Sequence, residues 1–344
     1  MSKQTALIVC PGRGTYNAAE LGYFHTHHAD KAEFLHTLDE IRSAKGQARI
    51  TDLDSAKAFK PSLHGTGENA SLLIYACALA DFMTISTDMY DIVAITGNSM
   101  GWYLALAASG ALSLTDGAIL VNEMGTLMHE CGTGGQIVYP VVDSNWRPDP
   151  QKRALVEDML AHGQATEGVE IHISIRLGGM VVFAANDEGL KYLSANLPQD
   201  EHFPLRLRGH NGFHSPILDH IVPLAQDKLS PSLFTTPDTP LIDGQGQIWM
   251  PHSTDVRALY DYTLGAQLNS SYDFSAAINV GIKEFAPDKI IVLGPGTTMG
   301  APVAQVLIEN HWNGLADKDM FKTSQAENPF LISMGMDTQR TLVK

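Results

Sequence analysis

Short apolar runs alternate along the chain with longer segments in which apolar positions recur at helical spacing. Residues 5–10, 91–96 and 289–293 are apolar runs bounded by turn-forming residues, which is typical of buried strands. Helical periodicity occupies much of the sequence between them, and it is clearest over 68–83 and in the segment that begins at Ser113. The alternation predicts an α/β fold with a mainly parallel sheet flanked by helices on both faces.

The middle of the chain has a different pattern. Between 136 and 208 the predicted elements follow the order strand, helix, strand, strand, helix, strand, which is the ferredoxin-like arrangement. The glycine-rich residues 132–135 and the region around His210 are expected to be its two hinges. The sequence therefore predicts a small ferredoxin-like α+β subdomain inserted in a large α/β domain. The predicted boundaries are 1–133 and 207–344 for the large domain and 134–206 for the subdomain.

The composition narrows the classes of function. The chain has 344 residues, of which 44% are hydrophobic, and its formal net charge of −15 disfavours nucleic acid and anionic membranes as main partners. The opening residues lack the pattern of a targeting peptide, and no apolar run is long enough to span a bilayer. The 3 cysteines and 14 histidines show neither metal-ligand spacing nor a disulfide framework. We expect a cytoplasmic protein without a metal site.

Residues 97–101, Gly-Asn-Ser-Met-Gly, form the motif with the clearest chemical meaning. They follow the predicted strand 91–96 and precede an alanine- and leucine-rich stretch, so Ser99 lies at the apex of a strand–turn–helix unit. Such an elbow exposes the hydroxyl, and the helix N-terminus supplies N–H donors for developing negative charge. Gly97 and Gly101 let the two backbones pass closely. This context predicts a nucleophilic serine on a serine-hydrolase-like core.

A serine nucleophile needs a base, and His214 is the strongest candidate. It lies in residues 209–216, Gly-His-Asn-Gly-Phe-His-Ser-Pro, which predict a tight loop that ends at a helix start. On these grounds alone, a surface or capping histidine is the simpler interpretation. Residues 12–14, Gly-Arg-Gly, follow the first strand and either approach an oxyanion with their backbone or form an ordinary tight turn.

Taken in order, these motifs resemble those of the malonyl-CoA:acyl-carrier-protein acyltransferase family, which includes stand-alone enzymes and the acyltransferase domains of polyketide and fatty-acid synthases. The resemblance covers roughly residues 5–310, including the insertion. The corresponding segments are Pro-Gly-Arg-Gly-Thr at 11–15, Gly-Asn-Ser-Met-Gly at 97–101, Gly-Ala-Leu-Ser-Leu at 110–114, Phe-His-Ser-Pro at 213–216, Ala-Gln-Leu at 266–268, Tyr-Asp-Phe at 272–274 and Leu-Gly-Pro-Gly at 293–296.

The resemblance implies a role for each matching residue. Ser99 would be the nucleophile and His214 the base that takes its proton. The backbone carbonyl of Gln267 would orient the imidazole, and the backbone N–H groups of Arg13 and Met100 would form the oxyanion hole. The implied reaction is ping-pong. Acyl-CoA, a substrate rather than a cofactor, acylates the serine, and the phosphopantetheine thiol of an acyl carrier protein then removes the acyl group.

One departure from the family pattern bears on the acyl group. Malonyl-specific members hold the malonyl carboxylate with an arginine on the helix after the elbow, and Met124 occupies that position here. No arginine lies between 102 and 146, so a shifted alignment does not restore one. Burying an unpaired carboxylate costs several kcal/mol, and methionine cannot replace the guanidinium fork. The substitution predicts a short neutral acyl group, such as acetyl or a longer alkyl chain, in preference to malonyl.

Four further positions differ from the family pattern in or near the expected pocket. Asn98 replaces the histidine beside the nucleophile, and Asn69 replaces a pocket glutamine. Arg13 replaces a glutamine in the first loop, and Arg176 replaces an asparagine in the small domain. Each arginine would either bind a carboxylate from another direction, meet CoA phosphates or point to solvent. Together these changes predict an altered acyl selectivity.

Other interpretations remain open at this point. A hydrolase would use the same serine and histidine, with water in place of the carrier thiol. A non-catalytic acyl-binding subunit is disfavoured because the site residues are intact. An ordinary α/β-hydrolase would need an acidic residue between the serine and the histidine, and none is persuasive. A carrier protein is acidic and would be repelled by the net charge at long range, so Arg206, Arg208 and His210 are candidates for a local basic patch.

Overall fold

A computed structural model describes residues 3–344, which form two β-sheets with helices packed against them. The strands are β1 (Gln4–Cys10), β2 (Tyr90–Gly97), β3 (Gly135–Pro140), β4 (Ile171–Leu177), β5 (Met180–Ala185), β6 (Leu205–Leu207), β7 (Leu241–Ile242), β8 (Ile248–Trp249), β9 (Tyr272–Asp273), β10 (Lys289–Val292) and β11 (Leu331–Ser333). The α-helices are α1 (Tyr23–His27), α2 (Ala32–Ser43), α3 (Ile50–Asp54), α4 (Pro61–His64), α5 (Gly67–Phe82), α6 (Gly101–Ala108), α7 (Leu114–Cys131), α8 (Pro150–Gln164), α9 (Asp187–Asn196), α10 (Ile221–Lys228), α11 (Val256–Thr263), α12 (Ala266–Asn269), α13 (Phe274–Phe285), α14 (Gly300–Glu309), α15 (Lys318–Glu327) and α16 (Asp337–Arg340).

The larger sheet has six strands in the order β11-β10-β1-β2-β7-β8. Its neighbouring strands are parallel, apart from the antiparallel pair β7 and β8. The side chains of residues 6–10 on β1 have no exposed surface, because this central strand is covered on both faces. The predicted, mainly parallel α/β sheet is confirmed. Strand β11 comes from the C-terminal segment, for which the sequence predicted no element.

The smaller sheet has the order β6-β3-β5-β4-β9. The three pairs formed among its first four strands are antiparallel, and α8 and α9 connect these strands in the ferredoxin-like sequence β3-α8-β4-β5-α9-β6. The predicted ferredoxin-like subdomain is therefore confirmed. Strand β9 lies outside the predicted subdomain, at residues 272–273, and pairs with β4 in parallel. It is the fifth strand of the smaller sheet. The boundaries 134 and 206 stay predictions.

Helix α7 forms one wall of the region between the two sheets. It begins as predicted after Ser113, whose Oγ accepts a hydrogen bond from the N–H of Asp116 at 3.0 Å. The helix packs closely on α5, because a Cβ atom on Gly125 would lie 2.7 Å from the carbonyl oxygen of Gly67. This contact fixes the distance of α7 from α5 and thereby the position of the α7 face that looks towards the smaller sheet.

A buried polar cluster ties the C-terminal segment to the core. The carboxylate of Asp81 accepts hydrogen bonds from Tyr23 Oη at 2.7 Å and from the N–H of Gly294 at 2.7 Å, and it pairs with Arg340 at 2.7 Å. A buried carboxylate is tolerated only with partners of this kind. Because Gly294 opens the loop that leads to Met299 in the cavity wall, the cluster also positions one side of the site.

Candidate active site

Ser99 lies on a sharp turn between β2 and α6. Its backbone has a φ of 56°, a left-handed value that is uncommon outside glycine. A Cβ atom on Gly97 would overlap the carbonyl of Gly101, and one on Gly101 would lie 2.5 Å from the carbonyl oxygen of Cys10. Both flanking positions therefore require glycine, as the motif predicted. The turn places the Ser99 side chain at the edge of a cavity.

His214 is placed to accept the Ser99 proton. Its Nε2 lies 2.7 Å from Ser99 Oγ, and its Nδ1 lies 2.6 Å from the backbone carbonyl oxygen of Gln267. A carbonyl oxygen accepts only, so Nδ1 carries the proton and Nε2 offers a lone pair to the serine hydroxyl. The backbone N–H of His214 also donates to the carbonyl of Leu268 at 3.0 Å, which fixes the loop. The structure thus brings together the three residues that the sequence proposed for this role.

The electrostatic environment keeps this imidazole neutral. Burial lowers the pKa of His214 to about 4, and the hydrogen bond to the Gln267 carbonyl offsets only part of that shift. Within residues 3–344, no carboxylate forms a salt bridge with His214. A neutral imidazole is the form that accepts a proton, so the base is ready for use at neutral pH.

Gln267 is itself held by two side-chain hydrogen bonds. Its Nε2 donates to the carbonyl of Ser99 at 3.1 Å, and its Oε1 accepts from Tyr103 Oη at 2.8 Å. Tyr272 Oη donates to the carbonyl of Gly97 at 2.6 Å and braces the other side of the turn. Sequence reasoning gave neither tyrosine a function. The only available signal for Tyr103 was its place four residues after the serine, in the first turn of α6.

Two backbone N–H groups are available for an oxyanion. Met100 directly precedes α6, and Arg13 lies in the loop after β1; both residues line the cavity beside Ser99. Within the described chain, neither N–H donates a hydrogen bond to another protein group. A helix N-terminus adds a favourable partial charge at the same place. These facts are compatible with the predicted oxyanion hole, which stays a prediction.

The cavity has a volume of about 330 Å³. Its polar lining includes, beside the serine and histidine, backbone and side-chain groups of Arg13, Gly14, Thr15, Ser71, Asn98, Tyr103, Gln136, His210, Gln267 and Thr298. The remaining lining is largely apolar and comes from α7, from the four ferredoxin-like strands and from the segment that leads into α14. Met124 belongs to this lining and is 2% exposed. The site is therefore polar around the reacting groups and apolar where an acyl group would extend.

Arg13 contributes a positive charge to the cavity. Its Nη2 donates to the carbonyl oxygens of Gly209 at 3.2 Å and Gly65 at 3.4 Å, and the guanidinium carbon lies 5.6 Å from the centre of the Phe213 ring. Its Nε is buried without a hydrogen-bond partner among the described residues. Burial lowers the pKa of Arg13 to about 10, so the side chain stays protonated at neutral pH.

The other substituted positions divide between the cavity and its surroundings. Asn98 lines the cavity, and its Oδ1 is buried without a partner in the described chain. Asn69 lies outside the lining, where its side chain binds Arg42 and the carbonyl of Leu63. Arg176 faces a second cavity on the opposite side of the smaller sheet, 3.9 Å from a carboxylate oxygen of Asp273. The expectation that Asn69 and Arg176 reach the pocket is not met.

Residues 3–344 contain neither a metal-binding cluster nor a membrane-spanning helix. No group of three or more histidine, cysteine, aspartate or glutamate side chains is arranged to hold a metal ion. None of the helices in this part of the chain is both long and apolar enough to cross a membrane. The serine–histidine pair beside the cavity is an arrangement that can activate the serine oxygen as a nucleophile.

Comparison with known proteins gives distant sequence relatives and a shared fold. No protein-family profile matches the chain. It is 29% identical over 148 residues to the non-reducing polyketide synthase MapC′ of Penicillium brevicompactum, with 43% of this chain and 6% of the synthase covered. It is 25% identical over 215 residues to the malonyl CoA-acyl carrier protein transacylase of Bacillus subtilis, with 61% of this chain and 63% of the transacylase covered. The chain therefore spans less than two thirds of either relative.

Solved structures match over nearly the whole chain. The malonyl-CoA:ACP transacylase of Synechocystis sp. PCC 6803 superposes with a TM-score of 0.74 at 15% identity, covering 98% of this chain and 99% of that one. A type II polyketide malonyl-transacylase in complex with its acyl-carrier protein gives a TM-score of 0.70 at 16% identity, covering 95% and 100%. The fold is that of malonyl-CoA:acyl-carrier-protein transacylases, and one of the two distant sequence relatives is such a transacylase.

Proposed function

We propose that the protein transfers an acyl group from acyl-CoA to the phosphopantetheine thiol of an acyl carrier protein through an acyl-enzyme on Ser99. The observation that carries the proposal is the hydrogen-bonded series from Ser99 Oγ through His214 to the Gln267 carbonyl, at 2.7 and 2.6 Å. Such a series activates a hydroxyl without a carboxylate, since the carbonyl fixes the tautomer and stabilises the imidazolium that forms. The shared fold with transacylases supports the same reaction class.

The proposed first half-reaction is acylation of the serine. Ser99 Oγ attacks the thioester carbonyl while His214 Nε2 takes the hydroxyl proton. The resulting oxyanion would accept hydrogen bonds from the N–H groups of Arg13 and Met100. Collapse of the tetrahedral intermediate breaks the C–S bond, and the proton on His214 passes to the departing CoA sulfur.

The second half-reaction reverses these steps with a different thiol. His214 takes the proton of the carrier thiol, the sulfur attacks the serine ester, and the proton returns to Ser99 Oγ as the C–O bond breaks. Arg206 on β6 and Arg208 in the turn that follows are exposed and flank Leu207 of the cavity lining, so they supply positive charge where an acidic carrier would approach. If water enters in place of the thiol, the same groups would hydrolyse the ester, which is the second candidate activity.

For the acyl group we propose a neutral chain in preference to malonyl. Met124 lies in the apolar wall, at the position where the resemblance expects an arginine. A malonyl carboxylate placed there would be buried without a counter-charge, at a cost of several kcal/mol. Arg13 provides the one cationic side chain in the cavity lining of the described residues, and it would bind such a carboxylate only from the polar side.

The test is intact-protein mass spectrometry after brief incubation with acetyl-, butyryl-, malonyl- and methylmalonyl-CoA. A stable adduct from the neutral donors, which disappears when a carrier protein bearing phosphopantetheine is added, supports the transferase and the neutral pocket. Malonyl labelling at an equal rate would contradict the proposed selectivity and point to Arg13. Release of free CoA without an adduct would point to the hydrolase.

A further inference from the structure

The smaller sheet presents a continuous apolar row to the cavity. Leu205, Val138, Val182 and Ile175 all line it. The strand register pairs Leu205 with Val138, Val138 with Val182, and Val182 with Ile175, so the four side chains follow one another across β6, β3, β5 and β4. Three spacings of about 4.8 Å between neighbouring strands give this row a length of roughly 14 Å.

Helix α7 supplies a second apolar wall of the same cavity. Val121, Met124 and Met128 line it and recur at positions i, i+3 and i+7, which lie on one face of a helix. At about 1.5 Å per residue, this face extends for roughly 10 Å along the helix axis. Within residues 3–344, neither wall carries a charged side chain into the cavity. We call the space between the two walls the acyl slot.

We propose that the acyl slot binds a linear, uncharged acyl chain of about six to ten carbons, longer than the acetyl or malonyl groups that a small pocket would hold. The proposal rests on the proposed function, since it requires an acyl group on Ser99. An extended chain advances about 1.2 Å per bond, as a backbone residue of three bonds spans about 3.3–3.6 Å. Walls of about 10 to 14 Å therefore span roughly eight to twelve bonds, so a chain of about six to ten carbons, with about five to nine carbon–carbon bonds, fits within them.

The chemistry of the two walls suits a flexible alkyl chain. Branched aliphatic side chains form the sheet wall, and two of the three helix residues are methionines, whose unbranched side chains adapt to ligands of different shape. Leu205 stands on the edge strand and is 41% exposed, although it also lines the cavity. The slot therefore ends at an apolar side chain that meets solvent, and the end of a bound chain would cover it.

The experiment is a chain-length series of linear acyl-CoA donors with 2, 4, 6, 8, 10 and 12 carbons. The measured quantity is the second-order rate of adduct formation on Ser99. Burial of one methylene contributes at most about fourfold, so we expect a rise of roughly two- to fourfold per methylene up to about eight carbons. Beyond ten carbons the rate should level off or fall.

Two neighbouring residues on β5 provide a matched pair of variants. Val182 faces the acyl slot, whereas Val181 faces the second cavity on the opposite side of the sheet. Val182→Phe should lower the ratio of the octanoyl rate to the acetyl rate by at least tenfold, and Val181→Phe should leave that ratio within about twofold. If Val182→Phe does not fold, Leu205→Trp at the edge of the sheet replaces it as the test variant. Leu205→Trp should shorten the longest acyl chain that the enzyme accepts.

The outcomes separate this proposal from the proposed function. If no donor labels Ser99, the acyl-enzyme itself is wrong. If acetyl or malonyl labels it while donors of six to ten carbons react tenfold more slowly, the acyl-enzyme stands and the acyl slot is overturned. Equal changes of the rate ratio in Val182→Phe and Val181→Phe would also overturn it, because the effect would then not depend on the face of the sheet.

Discussion

The reaction corner, made of Ser99, His214 and Gln267, and the acyl slot are neighbours in space but are built in different ways. Backbone geometry fixes the corner: Ser99 and His214 have φ values of 56° and 55°, and Gln267 acts through its carbonyl. The slot is formed by side chains from one helix and four strands, which packing alone brings together.

This difference separates two kinds of mutational effect. A change in the corner alters the one geometry that every donor uses, so it should slow all donors by a similar factor. A change in the slot alters contacts that depend on the acyl chain, so it should change the ranking of donors.

The largest effect is expected for Ser99→Ala, which removes the attacking oxygen. No acyl-enzyme should form with any donor, because alanine offers no atom for the ester. Intact-protein mass spectrometry checks this directly. Ser109→Ala is the matched control, since Ser109 is a buried serine at the other end of α6, and its hydroxyl donates to the carbonyl of Leu106 at 3.0 Å. Labelling that persists in Ser99→Ala would place the nucleophile elsewhere.

Loss of the base should come next. His214→Gln should slow acylation by about 10²- to 10⁴-fold for all donors alike. In the wild type the acylating form is the neutral imidazole, and burial lowers the pKa of His214 to about 4. The rate should therefore be flat from about pH 6 to 8 and should fall roughly tenfold per pH unit below about pH 4.

Rapid-quench measurements of adduct formation against pH test this profile. His210→Gln is the control, because His210 is a second, half-buried histidine in the cavity lining, and desolvation and Arg13 lower its pKa to about 3. The midpoint of the pH–rate profile should be the same in His210→Gln as in the wild type. A wild-type midpoint near 6.5 would show that His214 is solvated when the donor is bound, contrary to the buried corner.

The corner was largely predictable from sequence, and the slot was not. The Ser99 turn and the Ser113 cap are local, because glycines or a capping side chain within a few residues determine them. The side of the sheet that Arg176 faces depends on register. A bulge between Ile173 and Ile175 shifts the register of β4, and a shift of one residue exchanges the two faces of a strand.

Helix α5 shows a related limit at Asn69. The residues from 69 to 81 on this helix are buried on all sides, so its sequence has no polar face that would indicate its orientation. The contact of Tyr272 with the Gly97 carbonyl also depends on long-range packing, because 175 residues separate the two in sequence. Strand β11 has only three residues and is recognisable only by its pairing with β10. Local signals therefore located the chemistry, and long-range packing decided which side chains surround the acyl group.

A direct test of the slot is Met124→Arg. The new guanidinium would give a malonyl carboxylate a counter-charge, and a charge-assisted hydrogen bond contributes about 1.5–3 kcal/mol. The ratio of malonyl to butyryl labelling should rise by roughly ten- to a hundredfold. Met124→Leu keeps the wall neutral and should leave the ratio near that of the wild type. The neutral slot fails if Met124→Arg leaves malonyl labelling unchanged and the wild type already accepts malonyl.

The smallest effect is expected for Tyr103→Phe, which acts on the corner through a positioning contact. The variant leaves Gln267 Oε1 without its donor at 2.8 Å but keeps the ring and the catalytic groups. The loss of one hydrogen bond, about 1 kcal/mol, corresponds to roughly fivefold slower acylation through a less well-oriented His214. The factor should be the same for acetyl and octanoyl donors, which distinguishes this variant from a change in the slot.

Tyr75→Phe removes another buried hydroxyl, bound to the carbonyl of Leu114 at 2.6 Å, and controls for a general loss of stability. If both variants slow acylation equally, the tyrosine at 103 serves the fold rather than the base, and the corner is determined by its backbone alone.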